Sequence, residues 1–226
     1  MKQETERFAH TKTAEMILNL DAVYKEIDEA ESEWKKACPV RCIDGCGACC
    51  IHFEPEIYEI EALYLAAWLL YHQRKRALRI LNGDFSANTP DKQNGCLLFD
   101  IDNPHHCTVY GGRCLICRLF GYSGDRGKDR SVRWRPCRFT VSKNGAAGVQ
   151  KQYGQADLLR AFGSLPPVMS DFTARILCFM SDGNFTARPI RKSLPAAVSK
   201  ILMLQKYSDF PQFDPGSGPA SPPLAS

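Results

Sequence analysis

Eleven cysteines occur in 226 residues, and ten of them fall between Cys38 and Cys137. Thiolates bind soft metals, hold iron–sulfur clusters, pair as disulfides or attack as nucleophiles, and their spacing separates these uses. Cys42, Cys46, Cys49 and Cys50 lie in one short segment, CIDGCGACC, whose two glycines let backbone wrap around an ion. Cys96, Cys107, Cys117 and Cys137 follow on separate turns. Ligands on one turn supply half of a tetrahedron and a distant segment supplies the rest, so two such groups point to zinc or iron. Buried thiols acting only as small hydrophobes have no reason to cluster like this. Cys49 and Cys50 are adjacent, so both serve as ligands only across two centres, within a cluster of several irons, or at differently placed corners of one site.

Eight thiolates concentrate negative charge that metal and nearby cations must offset. Arg113, Arg118, Arg133, Arg135 and Arg138 stand beside the later cysteines and would lower their pKa values, unless they are ordinary surface charge. Soft ligation selects zinc, iron or an iron–sulfur cluster over calcium, magnesium or manganese. His52, His105 and His106 are secondary ligand candidates, and Glu54, Glu56, Glu59 and Glu61 fit a helix start better than acid–base chemistry. Cys42-x3-Cys46-x2-Cys49 also has the spacing of a radical S-adenosylmethionine cluster, but Ala48 stands where those enzymes usually place an aromatic residue, and a helical segment precedes it. The chain has no phosphate-binding glycine loop, no nucleophile elbow and no zincin motif.

The ligands must be held by the elements around them. Met16, Leu20, Val23, Ile27 and Trp34 predict an amphipathic helix over residues 4–37, broken by Pro39. A second helix is predicted over 55–81, with Ile57, Ile60, Leu63, Leu65, Trp68 and Leu69 as its apolar face, followed by a polar linker over 82–95. Residues 96–120 read as a hairpin or turns, and 132–141 as a strand or extended loop. Further helices are predicted at 156–162, 170–180 and 194–207, and the Pro-, Gly- and Ser-rich residues 209–226 as disordered. The expected fold is mainly α with small β and irregular cysteine-rich loops: one metal-stabilised domain over 1–208, its metal-binding core at 38–140.

Hydrophobic residues at 44%, charged residues at 24% and a net charge of +4 describe an ordinary soluble chain and argue against a nucleic-acid partner. No apolar stretch is long enough to span a membrane, and the polar start of the chain, residues 1–10, lacks the apolar run of a secretory signal. The expected location is cytoplasmic, where thiols meet metal more often than they form disulfides.

Taken in order, Cys42-x3-Cys46-x2-Cys49-Cys50, Cys96-Leu97-Leu98-Phe99, Cys107-Thr108-Val109-Tyr110 and Cys117-Arg118-Leu119-Phe120 resemble the YkgJ-type cysteine-cluster family of zinc- or iron-chelating domains, over residues 38–140. The resemblance implies ligand roles for Cys46, Cys49, Cys50, Cys96, Cys107 and Cys117, together with Cys42 and Cys137. Where the family usually has Arg-Pro, this chain has Arg113-Cys114, which sets Cys114 apart from the ligands; Cys38, Cys114 and Cys178 are expected to be expendable, the last as a core filler in an apolar helix. Larger relatives such as flagellin lysine-N-methylase carry a similar cluster within an enzyme. Two functions therefore follow as expectations: a metal-binding protein, with metal mainly structural, that meets an unknown protein partner or substrate, or a metal-dependent enzyme or redox protein using an iron–sulfur cluster, methylase-related or radical-SAM-like.

Overall fold

The computed structural model describes residues 1–43, 46–142, 151–180 and 185–208. After α1 (Lys2–Thr5) and a 3-10 turn at Glu6–Phe8, α2 runs over Lys12–Ala37. The predicted single helix is interrupted here because Thr11 caps the second piece: its backbone is extended and its hydroxyl accepts from the Ala14 amide at 3.2 Å. At the other end Cys38 takes an extended conformation, ψ 132°, as the following proline demands. Ile17, Leu20, Val23, Tyr24, Ile27 and Trp34 form the buried stripe between these ends.

Next come β1 (Val40–Arg41), α3 (Ala48–Ile51), β2 (Glu56–Ile57), α4 (Glu59–His72) and α5 (Arg74–Leu81). The second predicted helix is thus shortened at its start and divided at Gln73, where φ −141° and ψ 50° leave the helical region. A tertiary contact holds that break, the Gln73 side-chain amide donating to the Thr108 carbonyl. Apolar on nearly every side, α4 buries Ile60, Leu63, Leu65, Leu69 and Leu70 and forms the centre of the core, packed against α2 and the last helix.

The remaining elements are α6 (Leu115–Leu119), β3 (Asp125–Arg126), β4 (Val132–Trp134), β5 (Val141–Ser142), β6 (Tyr153–Gly154), α7 (Gln155–Phe162), α8 (Met169–Leu177), β7 (Arg188–Pro189) and α9 (Ile190–Ser208). All strand pairs are antiparallel: β1 with β5, β2 with β7, and β4 between β3 and β6. The fold is mainly helical with small sheets, as the sequence predicts. Helix α9 starts four residues earlier than its periodicity suggests. Its first amides are satisfied from another segment, Ile190 N–H by the Pro55 carbonyl at 3.0 Å and Arg191 N–H by the Glu54 carboxylate at 2.8 Å.

A second apolar cluster lies under the cysteine-rich loops. Trp34 meets Trp134 edge to face, ring centroids 5.3 Å apart, and Phe162 at 5.9 Å. Cys38 is fully buried in this cluster. Cys178 corrects an expectation, for it follows the end of α8 and is exposed rather than filling the core. Among the described residues no helix is long and apolar enough to cross a membrane. The segment 209–226, expected to be disordered, lies outside the described residues.

Candidate metal centre

Local backbone chemistry sets the first cysteine group. Pairing of β1 with β5, Val40 opposite Ser142, returns the chain from Cys137 to the side of Cys42. The Cys42 amide donates to the Tyr122 hydroxyl at 2.8 Å, and the Cys46 amide donates to the Ile43 carbonyl at 3.1 Å. Gly47, at φ 54°, starts α3 and packs so closely that a Cβ there would lie 2.4 Å from a ring carbon of His106. Glycine is therefore required twice over, for its left-handed backbone and for its missing side chain.

One backbone bond joins the two groups: the Cys96 amide donates to the Cys50 carbonyl at 3.0 Å. Beside it, a Cβ on Gly95 would meet the Ile51 carbonyl at 2.7 Å, so the close approach of these two segments depends on that glycine. From there, where the sequence predicts a hairpin or turns, the chain makes a single antiparallel bridge and turns, and ends in the short helix α6. Phe99 pairs with Cys107, and the Thr108 amide donates to the Leu98 carbonyl at 3.0 Å.

Helix α6, which carries Cys117, is anchored from the core. The Leu115 amide donates to the buried Glu61 carboxylate at 2.7 Å, and Tyr24 O–H donates to the same oxygen at 3.0 Å. Burial raises the Glu61 pKa, opposed by these donors and by the Tyr58 amide. Arg118 is 5% exposed and lines the same cavity as the cysteines. It donates to both Asp28 carboxylate oxygens, at 3.0 and 2.8 Å, and to the carbonyls of Gly111 and Arg113, while lying 4.3 Å from the Tyr24 ring centroid. Neither role is visible in the sequence, where Glu61 reads as a helix-start acid and Arg118 as a counter-charge.

Nine cysteines from these segments line one cavity of about 720 Å³: Cys42, Cys46, Cys49, Cys50, Cys96, Cys107, Cys114, Cys117 and Cys137. All eight sequence-predicted ligands are therefore present, together with Cys114. Cys49 and Cys50 sulfurs stand 3.8 Å apart, so adjacency in the chain does not spread them. With metal–sulfur bonds of about 2.3 Å that separation subtends about 111° at the ion, close to a tetrahedral angle. Cys114 and Cys117 sulfurs are 3.4 Å apart. Among the described residues no group of three or more Cys, His, Asp or Glu side chains stands close enough to hold a metal ion, and the sulfurs of Cys49 and Cys50 and of Cys114 and Cys117 form two close pairs.

The electrostatics match that crowding. Burial, then the sulfurs of Cys46, Cys49 and Cys137, push Cys42 up to about 11, and burial pushes Cys96 up to about 12 and raises Cys107. Contact with Cys114, then burial, holds Cys117 well above the ordinary thiol value. The sulfur contact between Cys49 and Cys50 lowers the first to about 7 and raises the second. Arg113 also lowers Cys49 and Cys107. Of the other arginines, Arg118 pairs with Asp28, Arg133 with Asp129, and Arg138 lies over the ring of Phe139. Soft donors that raise one another's pKa suit a divalent or cluster cation, which removes the repulsion on binding.

Of the histidines, His105 lines the cavity, whereas His52 pairs with Asp91 at 3.0 Å and His106 stacks on Phe99. Glu54 is bound to Arg191 and Glu59 to Lys200, which leaves both in structural roles. Ile43, Phe53, Phe120 and Phe139 are exposed at the cavity and give it an apolar rim.

Residues 41–138 match the model of the CxxCxxCC family, described as a "putative zinc- or iron-chelating domain". Neither the curated proteins nor the solved structures give a match.

Proposed function

We propose, for a chain whose residues 41–138 belong to the CxxCxxCC family, that its cysteines bind zinc or iron at the shared cavity and that the metal is mainly structural. The convergence of thiols from four separate segments on one cavity carries this reading. Cys42, Cys46, Cys49, Cys50, Cys96, Cys107, Cys117 and Cys137 would hold the metal, which supplies positive charge and cross-links the loops. Each coordinating thiol gives up its proton on binding. Tyr122, Glu61 and Arg118 hold the ligand-bearing backbone in place. The domain extends over 1–208 and works in the cytoplasm, where its thiols stay reduced.

A second reading is favoured by the size of the cavity, about 720 Å³ with an apolar rim, far more than one zinc ion fills. That space suits an iron–sulfur cluster beside a substrate, in a methylase-related or radical-SAM-like enzyme or a redox protein. Anaerobic purification followed by elemental analysis and an absorption spectrum separates the two. Zinc with a featureless visible spectrum supports the structural reading, iron with inorganic sulfide and broad visible absorption supports the second, and a metal-free chain with intact fold overturns both.

A further inference from the structure

We infer that Cys114 is a metal ligand, forming with Cys117 a two-thiolate clamp at the entrance to α6, so that the centre draws on nine thiolates. This rests on the metal-binding reading above and adds a residue that neither the family resemblance nor the two cysteine groups in the sequence assign. Three observations carry it. Cys114 lines the same cavity as the other eight and is 3% exposed. Its sulfur lies 3.4 Å from that of Cys117, which with metal–sulfur bonds of about 2.3 Å subtends about 95° at a shared ion and needs little opening to become tetrahedral. Cys114-x2-Cys117 is also a common zinc-ligand spacing.

The backbone around the pair is held more firmly than a spare thiol requires. The Arg118 amide donates to the Cys114 carbonyl at 3.0 Å, the Leu115 amide is fixed by Glu61, and the Arg118 side chain holds the Arg113 carbonyl at 2.8 Å. Both sulfurs are thus delivered to the cavity by one rigid turn. Coordination converts two neutral thiols in contact into two thiolates bridged by a cation, with their protons released to water. Nine thiolates are one more than two separate four-cysteine ions use, so a shared sulfur or a polynuclear centre follows.

The test uses the full chain loaded anaerobically with ¹¹³Cd under reducing conditions. In the unsubstituted protein the Cys114 β-protons are expected to show scalar coupling to cadmium, as the Cys117 β-protons do. Cys114→Ser and Cys114→Ala are both expected to lose at least one metal–sulfur bond by X-ray absorption, while Cys178→Ser keeps the full set. Serine preserves a hydrogen bond to Cys117, so a Cys114 that only donates to a ligand sulfur would leave the serine variant with full sulfur coordination. That result, or cadmium coupling at Cys117 without coupling at Cys114, overturns the inference and leaves the metal-binding reading standing. A protein that takes up no cadmium at all overturns both.

Discussion

Replacing Glu61 with alanine separates two accounts of the same residue by magnitude. As a helix-start acid favouring the α4 dipole, Glu61 would contribute about 0.3–1 kcal/mol. Its carboxylate instead accepts the Leu115 amide at 2.7 Å, the Tyr24 hydroxyl at 3.0 Å and the Tyr58 amide at 3.1 Å, and the first two of these bonds are buried. Leaving a buried donor unpaired costs roughly 1–3 kcal/mol. Two such donors cost about 2–6 kcal/mol, offset in part because the substitution also removes a buried carboxylate whose pKa is raised. The expected loss is about 3 kcal/mol, a large fraction of the 5–15 kcal/mol typical of a domain. Urea unfolding of the reduced, metal-loaded chain should show it as a midpoint lowered by about 1–3 M, for an m-value of roughly 1–3 kcal/mol/M. Because Leu115 opens the helix bearing Cys117, metal retention against a competing chelator should fall as well. A loss below about 1 kcal/mol with unchanged metal retention would refute the anchoring role.

Cys46→Ser and Cys117→Ser should lose metal and solubility, whereas Cys178→Ser, exposed beyond α8, should keep the unsubstituted metal content by elemental analysis. Equal loss in all three would remove the distinction between ligands and spare thiols. Gly47→Ala places a methyl 2.4 Å from the His106 ring at φ 54° and should destabilise by about 1–3 kcal/mol with lower metal occupancy, measured by the same unfolding assay. Asp84 is held low by its hydrogen bond from Arg79 and then by Ser86, so its stabilisation is present above the usual carboxylate range and is lost as pH falls through the lowered value. Asp84→Asn should accordingly lower the melting temperature at neutral pH more than under acid conditions, and the difference should shrink in high salt.

The cysteine spacing alone divides the thiols into two groups, and both open onto one cavity. For residues 96–120 the sequence leaves a hairpin or turns open; the structure has one antiparallel bridge, Phe99 with Cys107, among turns, and a short helix at Leu115–Leu119 that the pattern does not predict. What the sequence hid are contacts between distant segments. Glu61 looks like any acid in a first helical turn until Leu115, 54 positions on, is seen donating to it. Likewise, the break at Gln73 depends on the Thr108 carbonyl, and the early start of α9 on Pro55 and Glu54. Arg118 lies beside the cysteines, but its partners are not legible in the sequence: its guanidinium donates to Asp28, 90 residues earlier, and to the Gly111 and Arg113 carbonyls. Cys114 occupies a position where the resembled family usually has proline, which hides its Cys-x2-Cys spacing with Cys117.

Metal bound by these thiols is expected to hold residues 38–140 together. Structural zinc contributes roughly 10–16 kcal/mol in small sites, comparable with or larger than a whole domain's net stability. The most direct measurement follows circular dichroism through a thermal melt, with and without a strong chelator, under reducing conditions and with metal content verified in each sample. Stripping the metal should abolish the cooperative transition of residues 38–140 and leave part of the helical signal from the outer helices α2 and α9, although the main core also takes in Leu97, Phe99, Val109 and Leu115 of the cysteine-rich segment. An unchanged melt in a sample shown to be metal-free would contradict the account.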